Sequence, residues 1–209
     1  MNFIEPAINQ YIENQYLEKD AILQEMQRYG EARDFPLIGP QVGRLLFILA
    51  KLSRAKRVLE MGSGYGYSAY WFAKALPAGG KVFQTEYSKE NSEKSRAFFK
   101  KGKLLHKTEF FVGDAFDAIK KNPGKFDIVL LDLGKEDYPA AFKEARKRIA
   151  PGGLLIADNT LWFSKVLDKK PEASTKGILK FTKLLFSDKS FFSTIVPVRD
   201  GVAVGFKTK

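Results

Sequence analysis

Short apolar segments alternate with longer helical ones from Arg57 to Ser187, and this alternation restricts the chain to an α/β architecture more than any other feature. Arg57–Met61, Lys81–Glu86, Glu109–Val112, Phe126–Asp132 and Leu154–Asp158 read as strands. The fourth is strongly apolar, the pattern of a strand buried on both faces. Tyr67–Leu76, Lys89–Lys101, Ala115–Lys121, Pro139–Ile149 and residues 174–187 read as helices, with Ser88 placed to cap the second of them. Phe191–Val198 and Val202–Lys207 flank Arg199-Asp200-Gly201, and Asp-Gly between β-rich runs is a hairpin signal. The expected fold is therefore a doubly wound, mostly parallel, Rossmann-like sheet of seven strands ending in an antiparallel hairpin. Its ligand crevice should lie at the carboxyl ends of the strands. Ahead of it, Ile4, Ile8, Tyr11 and Ile12, then Ala21, Ile22, Met26 and Tyr29, keep helical spacing up to a stop at Gly30. Phe35–Pro40 reads as a loop and Val42–Leu52 as an apolar helix. One domain is expected, with residues 1–40 supplying helices and a lid loop and residues 41–209 the core.

Composition narrows the chemistry. The 209 residues include no Cys and one His, His106, so a zinc site of nitrogen and sulfur ligands cannot be assembled. Any metal must be held by oxygen, which points to Mg²⁺, Ca²⁺ or Mn²⁺. Thiol catalysis is excluded. No apolar run is long enough to cross a bilayer. Glu5, Pro6, Glu13 and Glu18 break up the first twenty residues, which do not read as a signal peptide. A cytoplasmic chain with no membrane partner is expected. The formal charge of +11 is compatible with a nucleic-acid partner or with solvated lysine-rich helix faces.

The first strand runs into Gly62-Ser63-Gly64-Tyr65-Gly66. Glycines there let the backbone turn tightly and approach a ligand. The dinucleotide pattern needs a glycine at position 67, where Tyr67 stands, and Glu60 before the loop would repel a pyrophosphate but attract a cation. Glu86, ending the second strand, can accept both hydroxyls of a ribose. Asp114, in Gly113-Asp114-Ala115, can accept from an adenine amino group. A ribose, an adenine and a positive charge without a phosphate describe S-adenosylmethionine. Asp132 and Asp158-Asn159 end strands four and five, which should lie side by side, so two carboxylates and an amide oxygen can converge on one Mg²⁺.

Val58-Leu59-Glu60-Met61-Gly62-Ser63-Gly64-Tyr65-Gly66-Tyr67-Ser68 resembles the cofactor loop of class I S-adenosylmethionine-dependent methyltransferases. Asp158-Asn159-Thr160-Leu161-Trp162 narrows the resemblance to the cation-dependent O-methyltransferases that include catechol and caffeoyl-CoA enzymes. It runs from about Gly39 to Phe206. It implies that Glu86 holds the ribose, Asp114 with Ala115 borders the adenine, and Ser68 approaches the methionine carboxylate. It further implies that Glu60, Gly62 and Gly64 belong to the cofactor site, that Asp132, Asp158 and Asn159 ligate the cation, and that Lys135 is the general base. Gly134 departs from plant-type members, which often carry an aspartate there.

The resemblance implies methyl transfer to a vicinal hydroxyl of a small catechol-like phenol, and a homodimer. The same chemistry on hydroxyuridine in tRNA is the alternative, favoured by the +11 charge but lacking an appended RNA-binding module. An NAD-dependent oxidoreductase is a lower alternative, disfavoured by Tyr67 and the Asp158-Asn159 pair. Phe35–Gly43 is a candidate lid and Trp162 a candidate wall for an aromatic ring.

Overall fold

The computed structural model describes residues 5–16 and 18–209; Ile4, counted in the first helical pattern, lies outside them. Three helices come first: α1 (Pro6–Asn14), α2 (Ala21–Glu31) and α3 (Gly39–Leu52). The early helical pattern is thus two helices. The second restarts where Asp20 Oδ1 accepts from the backbone N–H groups of Ile22 (2.9 Å) and Leu23 (3.3 Å), satisfying donors that have no partner inside the helix. Gly30 does not stop α2, which continues to Glu31. It is instead a packing position, because the Tyr65 hydroxyl and Leu37 fill the space a Cβ would need. Helix α3 starts three residues earlier than expected, with Pro40 in its first turn, where a missing N–H costs nothing.

The core alternates β1 (Arg57–Met61), α4 (Tyr67–Ala75), β2 (Lys81–Glu86), α5 (Lys89–Lys101), β3 (Thr108–Val112), α6 (Ala115–Lys121), β4 (Phe126–Leu131), α7 (Tyr138–Arg148), β5 (Ile149–Ala157) and α8 (Ala173–Ser187). It closes with β6 (Phe191–Val196) and β7 (Val202–Lys207). All seven strands form one sheet in the order β3-β2-β1-β4-β5-β7-β6. The first five are parallel, and β7 runs antiparallel to both β5 and β6. Strand β5 begins earlier than the sequence suggests, because Ile149 pairs with Phe126 ahead of an irregularity in the ladder. The last turn is also wider than a two-residue Asp-Gly turn: Val196 pairs with Val202, leaving residues 197–201 as the connection.

Successive residues of the central strands bury on opposite faces, as the period of two requires. Val58, Ile128, Leu130 and Ile156 join the layer under α2–α5, with Leu46, Phe72 and Phe99. Leu59, Val129, Leu131 and Leu155 join the layer under α6–α8, with Phe142 and Phe181. Because β1, β4 and β5 are adjacent and parallel, their ends stay in step. The Asp132 N–H donates to the Met61 carbonyl (2.9 Å) and the Asp158 N–H to the Leu131 carbonyl (3.2 Å). Gly62, Asp132 and Asp158 are each the first residue beyond a strand, at one edge of the sheet.

Candidate active site

A cavity of about 760 Å³ opens over those strand ends. Gly62, Gly64, Ser68, Glu86, Asp114, Ala115, Asp132, Lys135, Asp158 and Asn159 all line it, so the structure brings together nearly every residue singled out from the sequence.

On one side is the glycine loop. Gly62 has φ +89°, and the Asp132 carbonyl occupies the place of its missing Cβ, so only glycine lets these two strand ends close up. The Gly64 N–H donates to Glu86 Oε2 (2.8 Å). Glu86 Oε1 accepts from Ser88 N (2.9 Å), so this carboxylate ties the loop to the start of α5 while facing the cavity. Asp114 caps α6 through Phe116 N (2.6 Å) and accepts the Tyr87 hydroxyl at 2.6 Å. The Tyr87 bond, then the backbone N–H groups, hold Asp114 below its usual carboxylate range. Tyr87 lines the cavity beside Asp114 and was not anticipated; standing next to Glu86, its position was the available signal.

Glu60 sits differently from its neighbours. It is completely buried beneath the loop and does not line the cavity. Ser68, which does, donates its hydroxyl to Glu60 Oε1, and Oε2 has no partner among the described residues. Burial pushes Glu60 up to about 8, against the lowering effect of the Ser68 and Ser63 hydroxyls.

On the other side are the carboxylates. Lys135 Nζ donates to Asp132 Oδ1 (3.0 Å) and to the Tyr138 hydroxyl (2.8 Å). Tyr138 is fully buried and lies 2.9 Å from the Asp158 carbonyl and 3.1 Å from that of Leu131. It joins the lysine to two strand ends, a role that only the folded arrangement reveals. Asp158 is buried and pairs with no cationic side chain among the described residues. Burial, then the Asp132 carboxylate, pushes it well above the usual carboxylate range, while Lys135 pulls the other way. Asn159 turns left-handed (φ +53°) immediately after it, and Trp162, Phe163 and Ser164 also have positive φ. Hairpin residues hold this loop: Thr160 N donates to the Gly201 carbonyl and Leu161 N to that of Asp200, both at 2.9 Å. Trp162 and Phe163 give the cavity an aromatic lining, and Phe35, Pro36 and Leu37 line it as well.

Asp132, Asp158 and Asn159 offer two carboxylates and one amide oxygen. No group of three or more His, Cys, Asp or Glu side chains of metal-holding geometry exists among the described residues. Even so, two carboxylates beside one ammonium leave a net negative charge, part of it buried without an ion pair. That is the chemistry of a hard divalent cation completed by water or acceptor oxygens. The donor set fits such an ion. His106 lies in the turn before β3, away from the cavity lining.

Comparisons with known proteins identify the chain's family. The sequence profile of the O-methyltransferase family matches residues 13–208. A catechol O-methyltransferase from Niastella koreensis is 30% identical over 203 residues, covering 93% of this chain and 91% of that protein. Caffeoyl-CoA O-methyltransferase 5 of Nicotiana tabacum is 31% identical, covering 78% and 73%. Among solved structures, the O-methyltransferase TomG from Streptomyces achromogenes, in complex with SAM and involved in tomaymycin synthesis, superposes with a TM-score of 0.88 at 27% identity, over 97% of this chain and 96% of that one. An O-methyltransferase from Bacillus cereus, in complex with SAH, gives 0.87 at 27% identity, over 96% and 97%. The chain belongs to the O-methyltransferase family. This membership sets aside the oxidoreductase alternative.

No helix among the described residues is long and apolar enough to cross a membrane.

Proposed function

We infer that the chain moves a methyl group from S-adenosylmethionine to one hydroxyl of a vicinal diol on a small phenolic acceptor, with a divalent cation, Mg²⁺ foremost, held by Asp132, Asp158 and Asn159. The observation that carries this reading is the meeting in one cavity of Glu86 and Asp114 on one wall with Lys135, Asp132, Asp158 and Asn159 on the other. When bound, the cofactor supplies an electrophilic sulfonium methyl and the cation supplies Lewis acidity that favours the ionised acceptor.

The chain's residues do the rest. Glu86 accepts from ribose hydroxyls, Asp114 from the adenine amino group, and Ser68 faces the methionine end. Lys135 Nζ takes the acceptor's hydroxyl proton, oriented by Tyr138 and Asp132. Trp162 and Phe163 stack along the acceptor ring, and Phe35–Leu37 keep water from the reacting atoms.

The same chemistry on hydroxyuridine in tRNA is the second reading, and the +11 charge favours it. Methyl transfer from labelled cofactor to a catechol panel and to unmodified tRNA, with and without chelator, separates the two. Methylation of neither, or full activity in excess chelator, would overturn the corresponding part of the proposal. The reading includes a cytoplasmic homodimer. Phe192 and Phe206 are a cross-strand pair 78% and 45% exposed on the sheet's last two strands, and burying them against a second copy would remove that apolar surface from water.

A further inference from the structure

Strands β5 and β7 pair as far as Ala157 and Ala203, immediately before the proposed ligands Asp158 and Asn159. Contact between the two chain segments continues past the ladder. Thr160 N donates to the Gly201 carbonyl and Leu161 N to that of Asp200, both at 2.9 Å. The Asp200 side chain then takes a further N–H, that of Phe163, on Oδ1 at 2.5 Å. The hairpin tip is itself fixed, because Leu161 fills the place of a Cβ on Gly201 (φ +81°) and Arg199 donates to the Leu37 carbonyl and packs against Gly39. The segment so held would not hold itself. Asn159, Trp162, Phe163 and Ser164 are all left-handed, with φ between +47° and +66°. Residues other than glycine keep that conformation only where the surroundings over-determine it.

Asp200 is 8% exposed and does not line the active-site cavity. A neutral acceptor would serve the Phe163 N–H with less desolvation, so the buried charge has a second use. Burial raises the Asp200 carboxyl; the Phe163 N–H, and then the Asn159 side-chain amide, pull it back. The amide is near enough to act on the carboxylate, and Oδ2 has no full hydrogen bond among the described residues. An ionised carboxylate only accepts, so it draws the Asn159 NH2 and leaves the amide oxygen for the cavity that Asn159 lines.

We propose that Asp200 is a positioning residue for the cation site: from the hairpin tip, and without touching cation or acceptor, it sets the orientation of the Asn159 amide and the course of the Trp162–Phe163 segment. The inference rests on the cation-dependent methyl-transfer reading above and adds to it a residue of the β6–β7 turn. Groups that orient a metal ligand from behind change metal affinity by about 10–100-fold when they are removed.

The test reads Mn²⁺ binding directly, from the electron paramagnetic resonance signal of the free ion, in the full chain with S-adenosylmethionine present. Calorimetry of the cofactor and thermal melting accompany it. Asp200→Ala should weaken Mn²⁺ by about 10–100-fold. Cofactor affinity should hold, because Glu86 and Asp114 stand at the ends of β2 and β3. Asp200→Asn keeps one oxygen for Phe163 N but offers the Asn159 amide an NH2 in place of an acceptor. It should melt close to the wild type and still lose roughly tenfold in Mn²⁺ affinity, the scale of one lost hydrogen bond. Should Asp200→Ala fail to fold, Asp200→Asn decides alone. Wild-type Mn²⁺ affinity in Asp200→Asn, or a lowered melting temperature in Asp200→Ala with Mn²⁺ affinity intact, makes Asp200 a structural turn residue only; it overturns the inference and leaves the cation site standing. A wild-type chain that binds no Mn²⁺, or binding that survives in Asp158→Ala, overturns the cation reading and this inference with it.

Discussion

Lys135 Nζ lies 2.8 Å from the Tyr138 hydroxyl, which in turn lies 2.9 Å from the carbonyl of Asp158. The proposed base is thereby fixed to the strand end that supplies a proposed metal ligand. If Lys135 is the general base, Lys135→Ala should lower kcat by about 10²–10⁴. KM for the cofactor should hardly move, and the deficit should shrink as pH rises and the acceptor ionises unaided. Tyr138→Phe should retain the lysine but lose its orientation, lowering kcat by roughly tenfold, the scale of one lost hydrogen bond. Steady-state kinetics across pH for both variants decides it. Near-normal kcat in Lys135→Ala would reduce that residue to a counter-ion for Asp132.

The cation site is tested separately from the cofactor site because the two use different strand ends. Chelator should abolish turnover and Mg²⁺ restore it, while calorimetric binding of S-adenosylmethionine stays nearly intact in both states. Asp158→Ala should reproduce the chelated state. Loss of cofactor affinity on the same scale as loss of turnover would show that the carboxylates serve the cofactor pocket instead.

Glu86→Ala should weaken S-adenosylmethionine by about 1–3 kcal/mol, the range for lost charge-assisted hydrogen bonds. Part of that loss has a local source, since Glu86 also holds Gly64 N and Ser88 N. Glu86→Gln keeps an acceptor oxygen and should recover some affinity. Calorimetry on the two variants separates the direct contact from the loop's support, and wild-type affinity in both would remove Glu86 from the site.

The parts of this site that could be read from the chain are those fixed by backbone geometry. The alternation of elements places Gly62, Asp132 and Asp158 just past adjacent strands, and parallel strands in step bring them together. What escaped is what depends on tertiary closure. Tyr138 looks like an ordinary first-turn aromatic until the fold sets its hydroxyl beside Lys135 and between two carbonyls. The left-handed run at Trp162, Phe163 and Ser164 contradicts local preference and persists because the hairpin's Asp200 and Gly201 bind it. Glu60, expected from the sequence to face a cationic ligand, is instead buried under the loop, because β1 is covered on both faces and the Glu60 side chain meets Ser68 of α4.

The exposed Phe192–Phe206 pair bears on assembly. A dimer closed over this face should sediment at about twice the chain mass of 23.6 kDa. Phe192→Glu, placing charge on that apolar pair, should shift it to monomer without changing the melting of the isolated fold by more than a surface substitution does. A wild-type chain that sediments as a monomer at high concentration would exclude the assembly.

Glu60 makes stability depend on pH in a direction opposite to that of a paired carboxylate. Its folded value, about 8, stands above its ordinary 4.5, so between those limits the folded chain keeps a proton that the unfolded chain has released. The stabilisation is complete below about pH 4.5 and is lost as pH rises toward 8, at up to roughly 1.4 kcal/mol per unit. Asp158, also raised, adds to the same slope. Glu60→Gln removes the titrating group while keeping an oxygen for Ser68, so its urea midpoint should fall less between pH 5 and pH 8 than that of the wild type, with m unchanged. The remaining slope should diminish further in a Glu60→Gln/Asp158→Asn double variant. A wild-type midpoint that rises over this window, or identical slopes in wild type and Glu60→Gln, would mean that the buried carboxylate is ionised in the folded chain and balanced by a charge near it.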